Sequence, residues 1–553
     1  MARALRPRGL TPVLPATLPA AGRWWPAAAT VVLAWLLVPS TADLAAVLRW
    51  PGVGEALVLG LWTAVASTAL ARAATALLLG LVETSAPGRR AGMLLAPLLA
   101  VPHAAFAVGL AFLLAPSGWL VRLVAVPLLG LERPPDWPLA GDPWGLSLIL
   151  GLTLKEIPFL LFLGLAARAR LRLAPAVACA RTLGCDAWTA YARVVWPQLR
   201  PRLALPTLAV LAYGLGNADM AAVLGPDLPP TFAVLVLRWF LDSDPARLGL
   251  ARAGAALLLV LALPVLAGWW ALERRAAAEG ERSGLRLPRA GAPLVLLVVA
   301  PLAALVACAL ALWTVAGPWP FPALLPRWLD PTLALRLAED LATPFTTTLG
   351  LGLAATLLGL LLARLALGRR HGPREGGEPP LWVFLPLLVP EPVAALLLQG
   401  PVLRLGLDGG AAAVLAGHLL YVVPYQLLVL WGPWRRLPPV LFDAARTLGA
   451  RSWRRLLAVE LPLLGPVYAA ALAVGFAVST AQYATTLFLG AGRVRTLATE
   501  TLAYAAAGDR RLAACAGLLA TLLPLAAFLL AAATGQGPVT RAAARTAPRS
   551  PPR

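Results

Sequence analysis

The chain has 553 residues, of which 59% are hydrophobic and only 13% are charged, and its formal net charge is +21. Soluble domains carry about 25% charged residues, so this composition excludes an ordinary soluble globular protein and predicts one embedded in a membrane. The basic excess does not indicate nucleic-acid binding, because the arginines occupy short gaps between apolar runs, where membrane topology accounts for them.

Twelve apolar segments are long enough to span a membrane, since a spanning helix needs about 20 mostly apolar residues. In chain order, the first six spans are predicted near 24–40, 56–82, 91–115, 144–167, 203–224 and 252–272. The second six are predicted near 292–316, 344–367, 380–399, 411–432, 466–490 and 512–534. Arginines precede the first segment as in a signal peptide, but because further spans follow we expect an uncleaved first helix. The predicted fold class is all-α and polytopic.

The twelve segments form two sets of six, with a first half at 1–272, a polar linker at 273–291 and a second half at 292–553. Basic residues in the gaps are concentrated on one side of this arrangement. The positive-inside rule therefore places that side, with both chain ends and the linker, in the cytoplasm. Two halves of six helices predict an internal duplication, which is common in transporters.

A polar loop follows the fourth and the tenth predicted helices, and its sequence occurs twice. The stretch "ACARTLGCDAWTAYARVVWPQLRP" at 178–201 and the stretch "DAARTLGARSWRRLLAVELPLLGP" at 443–466 lie half a chain apart. Both carry A-R-T-L-G, then a Trp four residues after the Gly and a Pro nine residues after the Trp. Gly184 and Gly449 are predicted to end a short helix with a positive φ, and a second short helix follows each.

The repeated stretch resembles the EAA loop of permeases from binding-protein-dependent ABC importers. That signature has Glu-Ala-Ala, a Gly four residues after the second Ala and a Leu-Pro near the end of the loop. The loops are predicted at 168–202 and 433–465. The second copy has Asp443-Ala444-Ala445, Gly449 and Leu461-Pro462, whereas the first has Ala178-Cys179-Ala180, Gly184 and Trp196-Pro197 and lacks the acidic residue. Two loops in one chain resemble the fused double-permease type found among thiamine-type and ferric-iron-type importers.

The resemblance implies the permease subunit of an ATP-driven importer in the bacterial inner membrane. In that family each loop seats a short helix in a separate ATPase subunit, so two loops imply two copies of one ATPase, and a periplasmic binding protein delivers the solute. The residues implied to couple to the ATPase are Ala180, Arg181, Gly184, Trp188 and Pro197 in the first loop, and Asp443, Ala444, Ala445, Arg446, Gly449, Trp453 and Pro462 in the second.

The chain is not expected to be an enzyme or to hold a cofactor of its own. A phosphate loop needs G-x-x-x-x-G-K-[ST], and the single lysine, Lys155, lies in "GLTLKEIPF". ATP and Mg²⁺ are therefore expected to be used by the partner subunit. The histidines His103, His371 and His418 are far apart in sequence, so no metal site is indicated. We expect hydrogen-bonded structural roles for the two that lie in spans, His103 and His418.

Polar residues inside predicted spans are candidates for the translocation pathway, because a charge at the bilayer centre costs roughly 2.5–3.5 kcal/mol on insertion scales. These residues are Lys155, Glu156, Asn217, Asp219, Gln482 and Tyr483. Lys155 is predicted near the midplane, about 16 Å from the start of its helix at 1.5 Å per residue. Two interpretations stay open: the residues line a pathway in which Asp219 favours a cationic solute, or they form a structural interhelical network.

Two other functions compete with an ABC permease. One is a twelve-helix secondary transporter driven by an ion gradient, and the other is a membrane scaffold without transport activity. Neither of them requires the repeated loops after helices 4 and 10. Within the first reading the solute stays open between thiamine, ferric iron, a polyamine and another small molecule, because selectivity in such importers resides largely in the binding protein.

Overall fold

The computed structural model describes residues 40–283, 287–368, 381–407 and 409–535. In this part of the chain the secondary structure is helical, apart from an isolated antiparallel bridge between Ala316 and Leu329. All but the last residue of the predicted first helix at 24–40, together with His371, lies outside the described residues.

The helices up to the predicted linker are α1 (Thr41–Leu48), α2 (Val53–Thr84), α3 (Ala86–Met93), α4 (His103–Leu114), α5 (Val126–Leu129), α6 (Leu146–Ala169), α7 (Ala174–Thr182), α8 (Ala187–Ala190), α9 (Trp196–Leu199), α10 (Ala204–Gly216), α11 (Asp219–Leu224), α12 (Phe232–Leu241) and α13 (Ala246–Ser283). The later helices are α14 (Gly291–Val315), α15 (Pro331–Asp340), α16 (Ala342–Gly368), α17 (Glu391–Arg404), α18 (Ala411–Arg435), α19 (Pro439–Thr447), α20 (Ser452–Arg455), α21 (Leu461–Ala481), α22 (Ala484–Gly490), α23 (Leu497–Ala506) and α24 (Arg510–Gly535). Short 3₁₀ or π turns cover Ala96–Leu99, Val121–Ala125, Tyr191–Val195, Arg200–Leu203, Leu381–Leu388 and Leu456–Glu460.

Eight helical stretches among the described residues are long and apolar enough to cross a membrane. They are Val53–Thr84, Leu146–Ala169, Ala246–Ala276, Gly291–Val315, Ala342–Leu367, Ala411–Arg435, Trp453–Ala481 and Arg510–Thr534. Two shorter apolar helices, α4 and α12, accompany them. The protein is therefore an all-α polytopic membrane protein, as the composition predicts.

Four predicted spans are interrupted rather than continuous. The span at 91–115 begins in the last residues of α3, passes through the 3₁₀ turn Ala96–Leu99, and restarts as α4 after Pro102. The span at 380–399 has the 3₁₀ turn Leu381–Leu388 first, and its α-helix begins after Pro390. Proline lacks an N–H and restricts the residue before it, so a helix restarts at these points instead of running through them. The spans at 203–224 and 466–490 break at Asn217 and Gln482, where the backbone is extended.

The chain forms two compact units. The first comprises Met1–Ala96, Trp144–Ala218 and Pro226–Ala303, and the second comprises Pro97–Pro143, Asp219–Gly225 and Ala304–Arg553. The predicted halves, 1–272 and 292–553, describe a duplication of sequence, and they stay a prediction.

In the first unit, α2 packs against α6 and α10 through small side chains. Ala64 of α2 lies under Gly214 of α10, where an added Cβ would be 3.2 Å from the Cα of Ala64. Small residues let membrane helices approach closely, and van der Waals packing then holds them together. Further along α2, an added Cβ at Gly80 would lie 2.7 Å from the rings of Trp188 and Tyr191, so the glycine makes room for the first loop.

In the second unit, α18 and α21 pack against each other and against α16, and α21 also packs against α24. Gln426 of α18 is fully buried and donates a hydrogen bond from Nε2 to the carbonyl of Thr356 at 2.9 Å. Gly359 of α16 and Gly475 of α21 make room for this side chain. The polar interior of this unit is therefore built around α18, which also carries His418.

Candidate functional site

The two predicted loops share one backbone. The first consists of α7, α8 and the π turn Tyr191–Val195, and the second consists of α19, α20 and the π turn Leu456–Glu460. Each of these elements begins and ends at the same offset from its counterpart, the offset that leads from Gly184 to Gly449, which we name the repeat offset. The predicted helix–turn–helix is confirmed in both copies, and the repeat in sequence is also a repeat in local structure.

A glycine in the left-handed region ends the first helix of each loop, as predicted. Gly184 has φ +87° and Gly449 has φ +75°, and no atom lies within 4 Å of an added Cβ at either position. The N–H of Gly184 donates to the carbonyl of Arg181 at 3.1 Å, and the next N–H donates to the carbonyl of Ala180 at 3.0 Å. The second loop repeats both bonds, at 2.9 Å each. This pair of bonds is the Schellman motif, in which glycine avoids the steric strain of a positive φ.

The aromatic side chains of the first loop are buried in their own unit. Trp188 is 7% exposed, and its Nε1 donates to the carbonyl of Leu287 in the predicted linker at 2.8 Å. The hydroxyl of Tyr191 donates to the carbonyl of Ala76 at 2.7 Å, and burial raises the pKa of this phenol. The tryptophan and tyrosine therefore fix the first loop to α2 and to the linker.

The start of α8 carries an acidic cap. The carboxylate of Asp186 accepts a hydrogen bond from the N–H of Thr189 at 3.0 Å, and the hydrogen bonds from Thr189 hold the pKa of Asp186 below its usual value. Arg289 of the linker lies 3.7 Å from the same carboxylate. The repeat offset leads from Asp186 to Arg451, so this cap has no acidic equivalent in the second loop.

The second loop exposes its apolar side chains. Trp453, the counterpart of Trp188, is 55% exposed. The other exposed apolar side chains of this loop are Val440, Leu441, Leu448 and Leu457. Asp443, which matches the acidic position of the signature, lies at the surface and pairs with Arg446 at 3.1 Å. The predicted coupling residues thus lie on an accessible surface in the second loop, whereas Trp188 of the first does not.

A glutamate ion pair joins each loop to membrane helices of its own unit. Glu273 of α13 contacts Arg200 at 2.9 Å and Arg72 of α2 at 3.4 Å. In the second unit, Glu460 at the end of the π turn pairs with Arg364 of α16 and accepts a hydrogen bond from the hydroxyl of Tyr468 at 3.1 Å. Sequence reasoning missed these pairs, although an isolated charge within or beside an apolar run was the available signal.

Four of the six residues predicted for the pathway lie at two helix breaks. Asn217 ends α10 with ψ 112°, and Gln482, its counterpart at the repeat offset, ends α21 with ψ 115°. Helices restart at Asp219 and at Ala484. Discontinuous membrane helices of this kind commonly form the binding sites of transporters, because their ends present unpaired backbone groups.

A cluster of polar side chains lies at the second break, and we name it the polar cluster. Its members, all in the second unit, are Asp219, Glu391, His418, Tyr421, Gln482, Tyr483 and Thr485. Glu391 accepts hydrogen bonds from the N–H and the hydroxyl of Thr485, at 2.9 and 2.8 Å. His418 is hydrogen-bonded to Ser479 at 2.8 Å and to Thr486 at 2.9 Å, as a structural histidine would be.

The structure brings three of the six predicted pathway residues together. Asp219 and Tyr483 interact electrostatically, and Gln482 donates from Nε2 to the carbonyl of His418 at 3.2 Å. Lys155 and Glu156 are buried on α6, in the first unit, and neither is without an interaction partner. Sequence reasoning missed Glu391 and Thr485. The signal for Glu391 was an acidic residue directly before an apolar run, in "VPEPVAALLL".

Broken helices lined with polar groups, together with two loops of matching backbone, are typical of a membrane transport permease. The sequence matches the family of the "Binding-protein-dependent transport system inner membrane component" over residues 378–537. It is 34% identical over 450 residues to the inner membrane ABC transporter permease protein YnjC of Escherichia coli (strain K12), and the match covers 79% of each chain. It is also 27% identical over 177 residues to the spermidine/putrescine transport system permease protein PotC homolog of Mycoplasma genitalium, which covers 31% of this chain and 62% of that protein. No solved structure matches the chain.

The chain belongs to the family of permease components of binding-protein-dependent ABC transporters. It is a multi-pass protein of the inner membrane and is not itself an ATPase. A permease of this family works with an ATPase and a binding protein, so these partners follow from the family. The family assignment agrees with the resemblance seen in the loops.

Proposed function

We propose that this chain is a fused double permease, in which two six-helix halves together form the whole transmembrane part of an ABC importer. The observation that carries the proposal is the common backbone of the two loops, including the same Schellman turn. Each loop would receive one copy of a cytoplasmic ATPase, and ATP binding would draw the two copies together. Twelve spans, with both chain ends in the cytoplasm, are part of this proposal.

The repeat beyond the loops supports a duplication. Helices α6 and α18 start at Leu146 and Ala411, which are separated by the repeat offset, and the breaks at Asn217 and Gln482 keep the same spacing. Helices α12 and α23 are both 10 residues long and are again separated by the repeat offset. One insertion or deletion would have shifted the later elements, so this constant spacing favours two copies of one ancestral unit.

The ion pairs at Glu273 and Glu460 support mechanical coupling between the loops and the membrane helices. Each joins the loop, or the turn that follows it, to a spanning helix of the same unit. Breaking a buried ion pair leaves an uncompensated charge and is therefore unfavourable. The two segments that the pair joins are thus expected to stay in contact when one of them moves. A displacement of a loop by the ATPase would thereby be transmitted directly to the membrane helices.

Reconstitution tests this function directly. The chain is purified with its ATPase and binding protein, and uptake into proteoliposomes is measured with and without ATP. We expect uptake to require ATP and both partners, with two ATPase subunits for each copy of the chain. Uptake by the chain alone, driven by an ion gradient, would instead establish a secondary transporter.

The solute is proposed to be thiamine or another cationic solute. Asp219, Gln482 and Tyr483 lie at breaks and offer acceptor groups, which suit a positively charged molecule. Lys155, Glu156 and Asn217 are proposed to line the same route. The Mycoplasma relative is named for spermidine and putrescine, which are also organic cations, although it matches a smaller part of the chain. The ligand that the binding protein carries, identified by mass spectrometry, tests this choice.

A further inference from the structure

Glu391 is a carboxylate at the start of α17 and is only partly exposed. One of its oxygens accepts both the N–H and the hydroxyl of Thr485, so the group is held in place by a second helix. Among the described residues, no arginine, lysine or histidine forms an ion pair with it. A carboxylate inside an apolar protein segment is costly without a counter-charge, so its presence there calls for a function.

A second carboxylate and a tyrosine lie near Glu391. Asp219 acts on Glu391 electrostatically, and Tyr483 lies within range of both carboxylates. The nearby imidazole of His418 has both nitrogens hydrogen-bonded to hydroxyl groups, so it does not pair with either carboxylate. Glu391 therefore has an acidic residue of another helix and a tyrosine near it, but no basic side chain paired with it among the described residues.

Two buried polar atoms in the polar cluster have no hydrogen-bond partner among the described residues. Gln482 is 7% exposed, and its Oε1 has no hydrogen-bond partner among the described residues, although its Nε2 is bonded to His418. The hydroxyl of Tyr421, which interacts electrostatically with Glu391, is likewise buried without a partner in the described part. Buried polar groups are normally satisfied, so these two atoms are available to form hydrogen bonds with another molecule.

We propose that Glu391, Gln482 and the tyrosines Tyr421 and Tyr483 form a subsite for an organic cation that carries N–H or O–H donors. This proposal rests on the proposed function and narrows its substrate class. The carboxylate of Glu391 supplies the counter-charge, the amide oxygen of Gln482 accepts a donor, and the tyrosine rings attract a cation. A bare metal ion fits less well, because the described residues contain no group of three His, Cys, Asp or Glu side chains arranged to hold one.

The test begins with the complete complex of chain, ATPase and binding protein. The ligand retained by the binding protein is identified by mass spectrometry and then used as the probe in proteoliposomes. Uptake is compared between the native chain, Glu391→Gln, and the control Glu339→Gln, which alters an exposed carboxylate on α15 of the same unit. The amide of Glu391→Gln can still accept both hydrogen bonds from Thr485.

We expect the probe to be an organic cation and Glu391→Gln to lower its uptake at least tenfold. Capture of the ATPase should stay unchanged, which shows that the complex assembles, and Glu339→Gln should transport normally. A neutral solute, an anion or a metal ion as the ATP-driven substrate would overturn the subsite while leaving the proposed function intact. Equal uptake by Glu391→Gln and Glu339→Gln would also overturn it.

A second variant guards against misfolding of Glu391→Gln. Tyr421→Phe removes only an unpaired hydroxyl, so the fold should tolerate it. We expect the KM for the organic cation to rise several-fold while the maximal rate stays near the native value. An unchanged KM in Tyr421→Phe would remove the hydroxyl from the subsite and contradict the proposal.

Discussion

The two loops have the same backbone but very different surroundings. In the first loop Trp188 and Tyr191 are buried against α2 and the linker, whereas in the second Trp453 and its apolar neighbours face outward. The shape of the turn therefore depends on glycine and on the backbone bonds around it, which both copies keep. What a loop can bind depends on the side chains, which have diverged.

This difference predicts unequal roles. The first loop uses its tryptophan for internal packing and has no acidic residue at the start of its signature, where Ala178 stands. The second keeps Asp443 and an exposed apolar surface bordered by arginines. Interfaces gain most of their affinity from buried aromatic and arginine side chains, so the second loop is expected to bind its ATPase subunit more tightly.

The largest effect is expected from Gly449→Pro, which removes the turn of the second loop. Proline fixes φ near −65°, whereas Gly449 has φ +75°, and the substitution also removes the N–H that donates to Arg446. We expect membrane insertion to persist and ATPase capture in a pull-down to fall more than tenfold. Gly449→Ala keeps the N–H, so its ATPase capture should lie between that of the native chain and that of Gly449→Pro. Normal capture by Gly449→Pro would show that the turn does not shape the docking surface.

Trp188→Ala and Trp453→Ala form a matched pair that separates packing from docking. Losing a buried Trp costs about 3–5 kcal/mol, while a substitution at an exposed position typically changes stability by less than about 0.5 kcal/mol. Trp188→Ala should therefore lower the thermal stability of the purified chain markedly. Trp453→Ala should leave stability unchanged and weaken ATPase binding. The reverse pattern would overturn the division of roles.

The loops were predictable from sequence because their geometry is local. Gly184 and Gly449 need a positive φ, and the spacing of Ala, Gly, Trp and Pro specifies two short helices around that turn. The exposure of Trp453 was not predictable, since it depends on which helices pack beside the loop. A sequence motif predicts the local conformation of its own segment, but it does not predict which other helices pack against that segment.

The membrane spans were also predicted where local sequence determines them and missed where distant contacts do. Long apolar helices such as α18 were predicted within a few residues, because hydropathy alone marks them. The breaks at Asn217 and Gln482 were missed, since neither is marked by a proline and the polar residues there were interpreted as pathway residues within continuous helices. Glu391 was missed as well, because its importance lies in its contact with Thr485, a residue 94 positions away.

Tyr468→Phe and Tyr191→Phe compare the anchoring of the two loops with a smaller expected effect. The hydroxyl of Tyr468 donates to the carboxylate of Glu460, and hydrogen bonds to charged groups contribute about 1.5–3 kcal/mol. The hydroxyl of Tyr191 donates to a neutral carbonyl, where about 1 kcal/mol is typical. Tyr468→Phe should therefore lower thermal stability more than Tyr191→Phe. An equal loss in both would mean that the charge on Glu460 adds nothing to this anchor.

The smallest effect is expected from lowering the pH, which should remove the stabilising charge of the Asp186 cap in the first loop. Because hydrogen bonds from Thr189 lower the pKa of Asp186 in the folded state, its cap stabilises the protein at a pH above the unfolded value of about 3.9. That stability is lost as the pH falls through the lower folded pKa, when the carboxylate is protonated in both states. Asp186→Asn keeps a capping side chain and removes the charge, so its melting temperature should lie slightly below the native one at pH 7, and the difference should shrink as the pH falls below the unfolded value. Arg451 occupies the equivalent place in the second loop, so Arg451→Gln serves as the control and should show no such convergence. A difference between Asp186→Asn and the native chain that does not shrink as the pH is lowered would mean that the charge of Asp186 does not stabilise the cap.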